Sequence, residues 1–394
     1  MSSLRYVLAV ALVSALSWSL AHVLGLGSAT PYGVIIAALL ISPDLKPPPK
    51  PLLVVLPVVV AFGLGLGTAL KPLLGGPQVW QFAAVTVIAQ SLGQALPDRL
   101  MVVRNLLAVL AVLPLLGSHA TWQGAWQQLL AVLLGMVVAL LLGSALRPPA
   151  DAPTGMEGPP ATSTESTHEA HEAQDAKASP ASGGESEPSR SLAQRFADPF
   201  FWRKLGISTL ALSIGMGVGA VTPKYLYFGV VLLLNDSLGA TLLRVRDRMV
   251  GVSLGVLMPL IVFNTLPINA VSVGLVMGGT AALLPALGLA PHLRTALISS
   301  GVTFVGYGAL TDWYVPHRWL DYLLGSGLAL LVCLLVRPTS ALRRFQRLAE
   351  SEPGLTPALQ AVLPSAREEA RVLGQEQEFR ALLERLKAST ARQV

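Results

Sequence analysis

The chain is a succession of apolar runs, each about as long as a membrane is thick, broken by glycine, proline and single charges. A helix rises ~1.5 Å per residue, so roughly 20 apolar residues cross the ~30 Å of hydrocarbon in a bilayer. In the first half such runs cover approximately 5–27, 30–43, 51–70, 78–96, 100–117 and 124–146. In the second they cover approximately 203–221, 224–238, 247–265, 267–287, 291–310 and 317–337. With 53% hydrophobic and 13% charged residues, the surplus of apolar side chains over 394 positions cannot be hidden inside a water-soluble domain. A soluble globular enzyme is excluded, and an all-α integral membrane protein is expected. The one cysteine, Cys333, leaves no disulfide framework or cysteine metal cluster. The net charge of +6 does not point to nucleic acid, because the basic residues sit singly at the ends of apolar runs.

Residues 151–190 hold 8 Asp/Glu against 2 Lys/Arg and are rich in Ser, Thr, Pro and Gly. Such a segment cannot bury enough apolar surface to offset its ordering entropy and reads as a disordered linker. The expected organisation is a six-helix transmembrane repeat at 1–147, an acidic linker at 148–200, a second six-helix repeat at 201–338 and an amphipathic helical tail at 339–394. Three landmark pairs suggest duplication: Gly33 with Gly229, Pro97 with Pro291, and Gly135 with Gly325, at offsets of 196, 194 and 190. An even number of spans per repeat makes the repeats parallel. With the N-terminus inside, the cytoplasmic flanks carry fourteen Lys/Arg, against Lys71, Lys224 and Arg318 on the other side. Both termini and the linker are therefore expected in the cytoplasm. A cleaved signal peptide is the rival reading of residues 1–21; the counterpart run at 203–221 favours retention. In the tail, Val372, Phe379, Leu382, Leu383 and Leu386 recur at helical spacing and predict one amphipathic helix of two or three turns. That helix would pack on the cytoplasmic face or pair with a second copy.

Carboxylates near the membrane are few: Asp44, Asp98, Asp236, Asp247, Asp312 and Asp321, with no Glu in either apolar half. Ionised groups cost roughly 2.5–3.5 kcal/mol at a helix centre by insertion scales, so those kept are candidates for function. Asp44 and Asp236 each close the shortest run of their half. Those runs open with Thr30-Pro31-Tyr32-Gly33 and with Thr222-Pro223 followed by Phe228-Gly229. Short, Gly/Pro-interrupted segments at matching positions point to a transport site, with Tyr32, Tyr225, Tyr227 and Phe228 offering flat faces. Exposed helix ends are the plainer reading. Arg244, Arg246, Asp247 and Arg248 stand before the third run of the second half, as topological charge or as an electropositive mouth for anions. Arg248 continues into Gly251 and Gly255, and Gly63 and Gly67 give a similar small-residue face in the first half. Arg318 and Asp321, three apart, share a helix face among Trp313, Tyr314, Trp319 and Tyr322, as an interfacial ion pair or as an anion site. Gln90 and Gln94 either face a cavity or hydrogen-bond between helices. His168 and His171 lack metalloprotease spacing, and no metal or cofactor site is expected.

The second half resembles the fusaric acid resistance and aromatic acid exporter family. The stretches concerned are Tyr227-Phe228-Gly229-Val230, Asp236-Ser237-Leu238-Gly239, Arg248 through Gly251 to Gly255, and His317-Arg318-Trp319-Leu320-Asp321-Tyr322-Leu323-Leu324-Gly325. The likeness covers about 200–340. The first half fits the six-helix hydropathy but carries Lys46-Pro-Pro-Pro-Lys50 in place of the arginine-rich opening and no Arg-x-x-Gly. The resemblance implies export of aromatic or other organic acids across a bacterial inner membrane, driven by protons. Plant malate channels share a similar six-helix unit, which keeps an anion channel open. On this reading Tyr32, Gly33, Tyr225, Phe228, Gly229, Arg248 and Arg318 bind the substrate, and Asp44, Asp236 or Asp321 take protons. The partners would be the lipid bilayer and a small organic anion, with a homo-oligomer left open. A scaffold that recruits cytoplasmic partners through the linker and tail is the alternative without transport; a membrane enzyme lacks the clustered His, Asp or Glu it would need.

Overall fold

A computed structural model describes residues 2–75, 78–96, 101–115, 121–146, 191–217, 223–235, 237–307, 311–336, 340–351, 354 and 356–391. Among them every regular element is helical. The helices are α1 (Ser2–Val23), α2 (Thr30–Leu40), α3 (Lys50–Leu74), α4 (Gln78–Ala95), α5 (Met101–Val112), α6 (Trp122–Ala145), α7 (Leu192–Phe196), α8 (Pro199–Gly217) and α9 (Pro223–Leu233). They continue with α10 (Leu238–Gly255), α11 (Leu257–Phe263), α12 (Ala270–Ala286), α13 (Leu293–Tyr307), α14 (Thr311–Val336), α15 (Ala341–Ser351), α16 (Pro357–Val372) and α17 (Glu376–Ala391). Most of the acidic linker lies outside the described residues.

Four segments are long and apolar enough to cross a membrane: Leu4–Val23, Lys50–Leu74, Trp122–Ala145 and Val315–Leu335. They are apolar on their outer faces too. On α1, Leu4, Leu8, Leu12 and Leu16 recur every four residues and are all exposed, while Val10, Val13, Ser14 and Ser17 on the other side are fully buried. A helix apolar all round fits lipid and not water.

Lipid tails are as apolar as leucine, so helices there associate through close backbone approach and polar contacts. The chain forms two compact units, each drawing on both halves of the sequence. In the first (Met1–Val58, Trp126–Glu187, Gly251–Tyr314), α1 packs on α2 and along α12, and α2 packs on α13. Gly33 of α2 meets α6 at Ala131 and Gly135; a Cβ on Gly135 would overlap the Gly33 carbonyl oxygen. Gly274 and Gly278 of α12 admit Ala11 of α1. The expected small-residue face of Gly251 and Gly255 seats Thr295 and Ala296 of α13. Buried hydroxyls bind across the same contacts: Thr280 lies 2.8 Å from Ser300, whose Oγ donates to the Gly255 carbonyl at 2.5 Å.

In the second unit (Val59–Ala125, Pro188–Val250, Val315–Val394), α8 packs on α9 and on α4, and α9 packs on α5. Gly229 of α9 abuts Gly325 of α14, where an added Cβ would stand 2.9 Å from the Gly325 Cα. Gly63 and Gly67 seat Leu110 and Ala111 of α5. Gln90 donates to Ser208 at 2.6 Å and Gln94 to the Arg195 carbonyl at 2.6 Å, so both glutamines hydrogen-bond between elements. Arg195 on the short α7 donates in turn to the Ala95 and Leu96 carbonyls, which α4 leaves unsatisfied at its C-terminus.

The tail departs from the single amphipathic helix read from the sequence. Three helices, α15 to α17, enclose a core of Leu342, Phe345, Leu359, Ala366, Ala370, Phe379 and Leu386. The helix expected through Val372 is cut at Gly374, which adopts φ +72°, while the Gln375 N–H donates to the Ala370 carbonyl at 2.8 Å. This is the Schellman ending that glycine permits, and it leaves Val372 exposed. Buried Glu369 ties the start of α15 to α16 by accepting from Ser340 Oγ and from the Ala341 N–H. Substituting Glu369→Ala leaves that buried N–H unpaired. It is expected to destabilise the tail by about 2 kcal/mol, seen as faster amide exchange in α15 and α16 with the spans unchanged.

Candidate functional site

The third run of the second half was expected from 247, with the arginine cluster in front of it. The helix begins nine residues earlier. Ser237 Oγ accepts the Ala240 N–H at 3.2 Å and caps the first turn of α10. Arg244, Arg246, Asp247 and Arg248 are therefore helical. The early turns of α10 are polar because they face protein: Gly239 is pressed against the Ser365 carbonyl of α16, and Arg246 pairs with Glu368.

Helix α14 runs alongside α10 in the opposite direction. Thr241 Oγ1 lies 3.2 Å from Cys333 Sγ, and Ser326 Oγ lies 3.9 Å from Met249 Sδ. Moving seven residues along α10 from Thr241, roughly 10 Å at 1.5 Å per residue, leads to Arg248. Its Nη2 donates to the Tyr322 hydroxyl at 3.3 Å, and its Cζ stands 5.6 Å from the Tyr322 ring centroid. Arg318, one turn before Tyr322 on α14, places its own Cζ 5.7 Å from the same centroid. Two guanidinium groups thus share one aromatic ring, each within cation–π range. Arg318 is 2% exposed, Tyr322 2% and Asp321 5%, with Arg248 half-buried.

Two sequence candidates, Arg248 and Arg318, therefore meet at Tyr322, although 70 residues separate them, and a third, Asp321, is the buried residue that precedes Tyr322 on α14. Charged side chains are costly to keep in such buried surroundings. Arg318 offers a planar fork of donors suited to a carboxylate. Gly229 lies close by, touching Gly325 three residues past Tyr322 on α14, while the buried Phe228 packs against Tyr227 with ring centroids 5.8 Å apart. The buried Tyr227, read from the sequence as a flat face for a solute, donates its hydroxyl to the Ala108 carbonyl at 3.0 Å and ties α9 to α5.

The remaining candidates lie elsewhere. Asp44 is at the surface with its side chain 70% exposed, 3.1 Å from the equally exposed Lys46. Tyr32 is half-buried and packs on a cluster of Ala21, Leu26, Ala29 and Ala131 in the first unit. Gly33 serves the contact between α2 and α6. Tyr225 lies in α9, its side chain outside the described residues, and Asp236 falls outside them altogether. At the 190-residue offset of Gly135 from Gly325, the first-half positions matching Arg318, Asp321 and Tyr322 are Gln128, Ala131 and Val132. The charged cluster belongs to the second half alone. Among the described residues no group of His, Cys, Asp and Glu is placed to hold a metal ion.

Fold and cluster together define an all-helical protein with four apolar helices of membrane-crossing length and a buried Arg–Tyr–Arg cluster beside an aspartate. Comparison with known proteins adds no family: no family model, curated protein or solved structure matches the chain.

Proposed function

We propose that this chain is a multi-pass exporter of small organic acids, aromatic ones included, in a bacterial inner membrane, coupled to protons. The observation that carries the reading is the convergence of Arg248 and Arg318 on Tyr322, with Asp321 beside them. The arginines hold the carboxylate, the rings of Tyr322 and Phe228 take the apolar part of the solute, and Asp321 exchanges the proton that drives release. The surface position of Asp44 leaves Asp321 as the better proton carrier. The likeness of residues 200–340 to the aromatic acid exporters supports the same class of solute.

Two parallel six-helix repeats joined by the acidic linker, with both termini cytoplasmic, are part of this proposal. Recurring helix pairs support it. The contacts of α1 with α12, α2 with α13 and α2 with α6 in one unit have counterparts in α8 with α4, α9 with α5 and α9 with α14 in the other. The landmark glycines read from the sequence are the residues in contact, Gly33 with Gly135 and Gly229 with Gly325.

Purified full-length protein in liposomes should move a labelled aromatic acid such as benzoate outward, faster when a pH gradient is imposed. Flux that ignores the gradient but follows voltage identifies an anion channel. No flux from folded protein across a panel of carboxylates overturns the transport reading.

A further inference from the structure

The sequence predicts a tail helix packed on the cytoplasmic face or paired with a second copy; the helix that follows the last apolar span has a different character. Helix α15 places Leu342 and Phe345 in the tail core and leaves Arg343, Arg344 and Arg347 exposed, at spacings of three and four that share a face. The rest of the bundle is balanced: α16 and α17 carry five basic and five acidic residues, whereas α15 carries three arginines and Glu350. The excess positive charge is therefore confined to the helix that follows the last apolar span in sequence.

Ser340 accepts the Arg343 N–H at 3.1 Å and is held by Glu369, which fixes where α15 starts. That start is five residues beyond Leu335, the end of the last apolar span. Five residues reach at most about 17 Å. The headgroup layer beyond the hydrocarbon is about 5–8 Å deep on each side. The first turn of α15 is thus anchored within roughly a helix diameter of the lipid phosphates, with long, forked side chains on its open face.

We infer that the Arg343/Arg344/Arg347 face of α15 is a lipid-docking surface that binds the phosphate headgroups of anionic phospholipids. The occupant is argued from charge complementarity and from the short tether to the last span. An acidic protein partner would need no particular lipid. The inference is independent of the transported solute.

The test uses full-length protein in nanodiscs of phosphatidylcholine, alone or mixed with phosphatidylglycerol, with amide hydrogen exchange followed along the tail. Anionic lipid is expected to slow exchange in 341–351, by on the order of fivefold for each arginine engaged, while α17 stays unchanged. High salt should reverse the slowing, and free inorganic phosphate at the same ionic strength should do no more than salt alone. The triple Arg→Gln variant should lose the lipid dependence and the triple Arg→Lys variant should keep most of it; unaltered exchange in α17 reports that the bundle is folded in both. Equal exchange in the two lipids, or a lipid effect that survives the Gln substitutions, overturns the inference. Should the Gln variant unfold, the wild-type comparison between lipids and its salt dependence decide the matter alone.

Discussion

Arg318→Ala is expected to lower organic-acid flux by roughly 30-fold or more, because truncating one partner of a buried charge contact costs at least about 2 kcal/mol. Arg318 is almost completely buried and shares the Tyr322 ring with Arg248. Arg318→Lys keeps the charge but loses the planar, two-pronged geometry and should recover only part of the flux. Arg248→Ala should act in the same direction with a smaller effect, since Arg248 is only half-buried and closer to solvent. The measurement is initial efflux from liposomes holding equal amounts of monodisperse variant. Flux within twofold of wild type for Arg318→Ala would remove the cluster from the transport path and leave it as a structural tie between α10 and α14.

The second large effect is on the fold. At Gly135 a methyl group would overlap the Gly33 carbonyl oxygen, and at Gly229 it would meet the Gly325 Cα at 2.9 Å. Both obstacles are backbone, which cannot swing aside as a side chain can. Gly135→Ala should therefore cost more than the usual 1–3 kcal/mol of overpacking and sharply reduce the yield of monodisperse protein. Gly327→Ala and Gly206→Ala are the controls: nothing lies within 4 Å of a methyl group at either. Alanine is the better helix former by up to about 1 kcal/mol, so these two should unfold no earlier than wild type. Melting in detergent, followed by fluorescence-detected gel filtration, separates the outcomes. Equal behaviour of Gly135→Ala and Gly327→Ala would mean that α2 and α6 do not approach as closely as described.

Much of the helix inventory was readable, because long apolar runs mark helix interiors and glycine, proline and single charges mark their ends. Each of the twelve runs contains a described helix, and most ends agree within a few residues. Hydropathy failed where protein, and not lipid, covers a helix. The opening turns of α10 look too polar to be part of a span because they face the tail. The tail core was invisible because its apolar positions are shared among three short charged helices, and only the conformation of Gly374 shows where one stops. At the candidate site, Arg248, Arg318 and Asp321 stood out individually through the cost of charge near hydrocarbon. The meeting of the two arginines at Tyr322 did not, since nothing in a hydropathy pattern says which helices are neighbours. Tyr322 was absorbed into an expected interfacial belt, and Asp44 was marked by its position in a short run although it ends at the surface.

The pairing of α1 with α12, and of α4 with α8, bears on how the molecule is made. Ribosomes deliver α1 with Ala11 and Ala15 some 260 residues before Gly274 and Gly278 of α12, on which they pack. Until then that face of α1 stands without the helix it packs along. Biogenesis therefore cannot proceed half by half: the early helices wait in the bilayer as unfinished surfaces, and the second half completes two assemblies at once.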